Sequence, residues 1–267
     1  MKGLLSILVC TAALSAGSAG AASAQLSFGL QQGLKAGAGT EQSTNWAGYA
    51  VTARRSFTSV TGKWVQPAAG CADRSPTYSA FWVGLGGFSN NSFAVEQTGT
   101  LANCSSGAPS YTAWYELYPK APVMLKMSVR PGDTFSATVS VAKRTVLIRI
   151  KNVTTNTLFT KKLHMARPDL GSAEWVAEAP SGCDSLGNCT TLPLTNFGTV
   201  AFSHSTASVK RHRGRITDPV WSDTAIELHG DLPNSDSQAG ANAIPGAVGP
   251  DGGSFAVTWQ ELTPPTD

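Results

Sequence analysis

Leu125-Lys126-Met127-Ser128-Val129-Arg130, Phe135-Ser136-Ala137-Thr138-Val139-Ser140-Val141 and Val146-Leu147-Ile148-Arg149-Ile150 read as three consecutive β-strands. In each, apolar residues recur at every second position, so one face is apolar and the other polar. Pro131-Gly132-Asp133 between the first two is a turn signal, and the connection to the third is short. The stretch therefore predicts an antiparallel meander. Similar runs lie near 45–52, 57–66, 77–84, 92–98, 110–118, 173–179, 198–203, 224–229 and 254–262. No stretch beyond the N-terminal leader carries a 3.6-residue apolar period. About a dozen strands without helices predict an all-β chain, a two-sheet antiparallel β-sandwich of concanavalin-like or jelly-roll type in a single domain. The Gly- and Pro-rich stretch 232–253 reads as one long surface loop.

Composition supports a packed protein and excludes several classes. The chain has 267 residues, 42% hydrophobic and only 14% charged, too little charge for a disordered or coiled-coil protein. A formal charge of +3 is no argument for nucleic acid. The one charge cluster, Lys210-Arg211-His212-Arg213-Gly214-Arg215, reads as a solvated surface loop.

The N-terminus reads as a secretory leader: Lys2, an apolar run from Leu4 to Leu14, and small residues at Ala22-Ser23-Ala24. Residues 1–24 are expected to be removed, 25–43 to form a short pro-segment or flexible arm, 44–262 the β-sandwich, and 263–267 a tail. No later run is long enough to anchor the chain in a membrane. The expected location is extracellular, with the periplasm open. Beyond the leader four cysteines remain, an even number that suits an oxidising compartment. Three pairings are possible. The short loop between Cys183 and Cys189 favours that pair, which leaves Cys71 with Cys104. Neither spacing resembles a zinc site, and no metal or cofactor is expected.

Alternation places the chemically interesting residues on shared faces. Phe93, Val95 and Gln97 point one way; Trp114, Glu116 and Tyr118 point together; Glu174, Val176 and Glu178 share a face opposite Ala173, Trp175 and Ala177. Trp-x-Glu-x-Tyr sets a carboxylate between two large rings, which is not how a solvated face is normally composed. Trp82 adds a further ring. Glu96 and Glu174, taken singly, read as solvated strand residues. Aromatics with a few carboxylates on one sandwich face suit a groove for a polymer.

Asn45-Trp46-Ala47-Gly48, Phe81-Trp82-Val83-Gly84, Glu96-Gln97-Thr98-Gly99, Ala113-Trp114-Tyr115-Glu116-Leu117-Tyr118-Pro119 and Ala173-Glu174-Trp175-Val176-Ala177-Glu178 occur in that order. Together they resemble the glutamic peptidases (eqolisins), secreted acid endopeptidases with a two-sheet β-sandwich. Leu192-Pro193-Leu194, Phe197-Gly198-Thr199-Val200 and Phe255-Ala256-Val257-Thr258-Trp259 extend the likeness over roughly 44–260. The resemblance implies that Gln97 and Glu178 are the catalytic pair, and that Trp82, Trp114, Glu116 and Tyr118 line or support the cleft. Two positions depart from the pattern: Gly86 and Leu101 stand where fungal members carry Asp.

A Gln–Glu pair makes chemical sense for amide hydrolysis. Glu178 would take a proton from water and return it to the leaving amine, starting ionised with an ordinary carboxyl pKa near ~4.3. The Gln97 amide would hold the water and donate to the oxyanion. Glu116 is expected to orient Glu178 or the water. No Asp-Thr-Gly, Asp-Ser-Gly, His-Glu-x-x-His or Gly-x-Ser-x-Gly occurs. The competing readings are a sandwich glycoside hydrolase using Glu116 and Glu178, or a carbohydrate-binding module using the rings. The expected partner is a polypeptide substrate, with no nucleic acid and no membrane anchor, for a monomer.

Overall fold

The computed structural model describes residues 25–30, 35–36, 39–71, 74–186, 188–231 and 238–262; the leader 1–24 and the tail 263–267 lie outside the described residues. Every regular element among them is a strand. In chain order these are β1 (Gln25–Ser27), β2 (Lys35–Ala36), β3 (Thr40–Ser43), β4 (Trp46–Thr52), β5 (Phe57–Val65), β6 (Ala80–Leu85) and β7 (Val95–Ser105). There follow β8 (Ala108–Tyr118), β9 (Val123–Leu125), β10 (Thr134–Ala142), β11 (Thr145–Asn152), β12 (Thr157–His164) and β13 (Ser172–Glu178). The last are β14 (Ser181–Cys183), β15 (Cys189–Thr191), β16 (Thr199–Val209), β17 (His212–Arg215), β18 (Ser222–Leu228), β19 (Ala241–Pro245) and β20 (Phe255–Glu261).

Pairing arranges them in two layers. One runs β3-β18-β4-β13-β6-β7-β8-β9, antiparallel except for the parallel pair β3–β18. The other runs β12-β11-β10-β5-β16-β20-β19. A single pairing, Leu228 with Ala243, joins them along one edge. Between the layers lies the main core, built from inward residues such as Val83, Trp175, Trp64, Phe135, Ile148 and Phe202. Two indoles cross it with their N–H groups satisfied: Trp64 Nε1 donates to Thr100 Oγ1 at 2.9 Å and Trp175 Nε1 to the Thr61 carbonyl at 2.8 Å. A small third sheet, β1-β14-β15, sits apart.

The β-sandwich expectation holds, with local corrections. The meander is β10-β11-β12, one strand later than the sequence suggests. Of the first run only Leu125 lies in a strand, at the end of β9, which pairs with β8; Lys126, Ser128 and Arg130 alternate with Met127 and Val129 without a partner strand. The stretch 232–253 is not one loop, because it contains β19, which pairs with β20 beyond it. The basic run is an exposed two-residue turn at Lys210-Arg211 leading into β17. The stretch 25–43 contains three strands, and β3 is built into the first layer.

One turn decides where the site can form. Ser106 and Gly107 have φ of 53° and 78° and link β7 to β8 as a two-residue hairpin, the geometry whose twist matches the flanking strands. Turn and register fix each other, so Gln97 falls directly opposite Glu116. A slip of one residue would turn Gln97 into the core.

Candidate active site

The outer face of the first layer carries the candidate site. Trp46 on β4, Glu174, Val176 and Glu178 on β13, Trp82 on β6, Gln97 on β7, and Trp114, Glu116 and Tyr118 on β8 project from that side. Between the large residues stand glycines: Gly99 lies in register between Trp82 and Trp114. A Cβ there would come 2.2 Å from the Phe81 carbonyl and 2.6 Å from Trp82 Cβ, so the strand tolerates no side chain at that point.

Gln97 and Glu178 are each held by a neighbour. Gln97 Nε2 donates to Glu116 Oε2 at 2.7 Å and to the Phe28 carbonyl at 2.7 Å. Because a carbonyl can only accept, the second contact fixes which end of the amide is the nitrogen. Trp82 Nε1 donates to Glu178 Oε2 at 2.7 Å. The other oxygen of each group (Gln97 Oε1, Glu116 Oε1 and Glu178 Oε1) is buried without a hydrogen-bond partner. Trp114 stacks on Phe28 with ring centroids 3.8 Å apart, and half-buried Tyr118 packs at the edge of the same cluster. Among the described residues no three His, Cys, Asp or Glu are gathered to hold a metal ion.

The cysteines pair as Cys183–Cys189 and Cys71–Cys104. The first bond ties β14 to β15 just beyond Glu178. No helix among the described residues is long and apolar enough to cross a membrane.

A model of the peptidase A4 family matches residues 44–232. The chain belongs to that family. The peptidase is accordingly a hydrolase of the glutamic endopeptidase (eqolisin) type, and its substrates are polypeptides; the glycoside hydrolase and carbohydrate-binding readings give way. Its fold is similar to that of scytalido-glutamic peptidase, solved with a transition-state analogue inhibitor, at 20% identity and a TM-score of 0.67 over 81% of this chain and 98% of that one. It is also similar to SCP-B, at 19% identity and TM-score 0.62 over 82% and 98%. Aspergilloglutamic peptidase from Aspergillus niger follows at 24% and 0.55 over 68% and 99%. No curated protein matches the sequence.

Several expectations for the peptidase change with the geometry. Glu116 makes its hydrogen bond to Gln97, not to Glu178, because β7 and β8 are adjacent in register. Glu96 and Glu174 are not solvated; both are fully buried. Burial pushes the Glu96 carboxyl up to about 9, opposed by the Asp169 amide that donates to it at 3.2 Å, while the Asp169 charge adds to the rise. Glu174 is held well above the ordinary range, first by burial. Neither does Glu178 have an ordinary carboxyl environment. Burial, then the Glu116 charge, raise it well above that range. The N–H groups of Trp82, Trp46 and Gly29 work in the opposite direction, and only that of Trp82 completes a hydrogen bond. Glu116 is pushed up to about 9, again by burial.

The two departures from the family pattern also acquire reasons. Gly86 has φ +80°, and a Cβ there would lie 2.7 Å from both Asp169 Cβ and the Asp169 carbonyl. The space that an aspartate side chain would need at this position is taken by Asp169. Leu101 is buried in the outer-face cluster that also holds Phe28 and Trp114, so this flank of the site is apolar.

What sequence reading missed is the cover. Phe28 and Gly29 are buried, and Asn45 Nδ2 donates to the Leu30 carbonyl at 3.0 Å. Nothing in the pattern of 25–43 announced this. The pairing of Gln97 with Glu116, by contrast, was available from the Ser106-Gly107 turn.

Proposed function

We propose that Gln97 and Glu178 hydrolyse polypeptides through an activated water, with no covalent intermediate, and that the enzyme is secreted and works in acid. Glu178 takes the proton of water and later delivers it to the leaving nitrogen. Gln97 Nε2 donates to the carbonyl oxygen as it becomes an oxyanion. Glu116 and Trp82 are positioning residues for Gln97 and Glu178 respectively, and Trp114 and Tyr118 shape the cleft.

The observation that carries this reading is the contact from Gln97 Nε2 to a peptide carbonyl, beside a carboxyl group held by the Trp82 indole. An amide N–H aimed at a backbone carbonyl is what oxyanion stabilisation requires. The site is complete within one chain, which suits a monomer, and two disulfides suit an oxidising exterior.

Working in acid follows from solvation. Glu178 is raised mainly because it is sealed from water. An uncovered cleft returns water to it and brings its pKa back toward the ordinary carboxylate range, so it can start ionised in mild acid. The test is digestion of a denatured protein at pH 3–5 by wild type, Gln97→Ala and Glu178→Gln, with a soluble polysaccharide in parallel. Polypeptide cleavage by wild type alone supports the assignment. Cleavage that survives in Glu178→Gln, or release of sugar, overturns it.

A further inference from the structure

The segment covering the site has the form of a bound substrate. β1 adds an antiparallel strand to β14, with Gln25 opposite Cys183, Leu26 opposite Gly182 and Ser27 opposite Ser181. An extended peptide docked on a sheet edge in this way takes its affinity from backbone hydrogen bonds and its selectivity from side-chain pockets. The next residue, Phe28, is fully buried and stacks on Trp114 with planes 22° apart. Its carbonyl accepts from Gln97 Nε2, and two bonds along the same peptide unit the Gly29 amide lies near Glu178. One residue further, the Leu30 carbonyl accepts from Asn45 Nδ2. Backbone contacts therefore run continuously from the residues before the Phe28–Gly29 bond to those after it.

We infer that Phe28–Gly29 is a self-processing site: the N-terminal arm is the enzyme's first substrate, cleaved within its own molecule, and blocks the cleft until then. The inference rests on the peptidase reading above. Entry of the reacting water returns solvent to Glu178, which then gives up its proton and ionises. The water adds to the Phe28 carbonyl carbon as Glu178 takes a proton from it, and Gln97 donates to the resulting oxyanion. The C–N bond then breaks as Glu178 returns that proton to the Gly29 nitrogen. The products are a carboxyl group on Phe28 and a free amine on Gly29, with no other reactant. The sandwich keeps its integrity, because β3, the next strand of the first layer, follows the cut.

The pocket also assigns a preference. The cluster around Phe28 contains Trp82, Trp114, Val95 and Leu101 and accepts a large apolar side chain on the acyl side of the cut. On the amine side a Cβ at Gly29 would meet nothing within 4 Å, so that position admits side chains beyond glycine.

The experiment uses the chain beginning at Gln25, which contains every described residue, purified near neutral pH and shifted to pH 4. N-terminal sequencing and intact mass follow Gln25-Leu26-Ser27-Phe28 over time, and digestion of an added denatured protein is measured in the same samples. Wild type is expected to lose those four residues at a first-order rate unchanged over a 100-fold range of protein concentration. Digestion of the added protein should rise as the arm is lost. Phe28→Ala should slow the step about 10- to 100-fold, for loss of the buried ring. Gly29→Ala should still be cut, while Gly29→Pro, Gln97→Ala and Glu178→Gln should keep Gln25.

The inference is overturned by a wild-type enzyme that digests added protein while retaining Gln25, by a cut elsewhere, by a rate that scales with concentration, or by trimming of Glu178→Gln. Phe28→Lys, which places a charge in the apolar pocket, separates the two levels. If it digests added protein while wild type neither digests nor trims, the arm is a plug and not a substrate, and the peptidase reading stands. If no variant digests added protein, the peptidase reading falls and takes this one with it.

Discussion

The two faces of β13 are equally buried and chemically opposite. Inward, Ala173, Trp175 and Ala177 pack between the layers, and the Trp175 indole has its acceptor. Outward, Glu174, Val176 and Glu178 are as inaccessible, yet Glu178 Oε1 completes no hydrogen bond and the Glu174 carboxyl has only the nearby Ser172 side chain, short of a completed bond. The neighbouring Trp46 and Trp114 indoles on that side are unpartnered too. A core satisfies its polar atoms and a reaction site keeps some unspent. On β13, then, the two faces are told apart by hydrogen-bond accounting and not by solvent exposure.

The contrast breaks most severely if Glu178→Gln behaves like a core substitution. It is expected to reduce kcat about 10⁴-fold, since both proton transfers go, while Tm stays level or rises because a buried ionisable group has been removed. Trp175→Ala on the inner face should do the reverse, costing about 3–5 kcal/mol of stability. Chemical denaturation beside a turnover assay distinguishes them.

Next in size is the response of the fold to pH. The unfolded chain has ordinary carboxyl groups, whereas in the folded protein Glu96 and Glu116 sit at about 9 and Glu174 and Glu178 are also raised. The folded state thus binds protons more tightly. This contribution to stability is complete below the unfolded value of about 4.5 and is lost as pH rises through about 9, the folded-state value of Glu96 and Glu116. Calorimetry on Gln97→Ala, which keeps its arm at pH 4, should find a higher Tm at pH 4 than at pH 8. A Tm that climbs across this range would show the outer face to be solvated.

Glu116→Gln acts on the outer face alone. Once the cleft is open to water and Glu116 can ionise, the substitution removes a charge that raises Glu178, so the ascending limb of the pH–rate profile should move to lower pH. An unchanged profile removes Glu116 from that role. The smallest effect belongs to the inner face: Thr100→Val deprives the Trp64 indole of its acceptor and should cost about 1–3 kcal/mol, with kcat unaltered.

Much of the molecule was legible because strands announce themselves locally. Period-two alternation separates Trp175 from Glu178 without knowledge of what either touches, and a short loop suffices to pair Cys183 with Cys189. The failures share a physical cause. β12 (Thr157-Leu158-Phe159-Thr160-Lys161-Lys162-Leu163-His164) is mostly exposed and lacks a clean apolar face, so its pairing with β11 carries no periodic signal. Glu96 and Glu174 were misjudged because carboxyl burial depends on what covers the face, a property of distant chain. For the same reason Phe28 left no mark: its environment is assembled from β4, β6, β7 and β8, and none of them is near it in sequence.

The Cys183–Cys189 bond has a consequence for how the enzyme tolerates thiols. Once β1 is gone, β14 and β15 are a bare two-stranded ribbon, too small to persist in water on its own. The cross-link is then what preserves the ribbon's shape, while the sandwich has a large apolar interior besides its own Cys71–Cys104 bond. A mild reductant should therefore silence turnover at doses that leave the rest of the protein folded, making catalysis more sensitive to the redox state of the surroundings than the architecture that supports it.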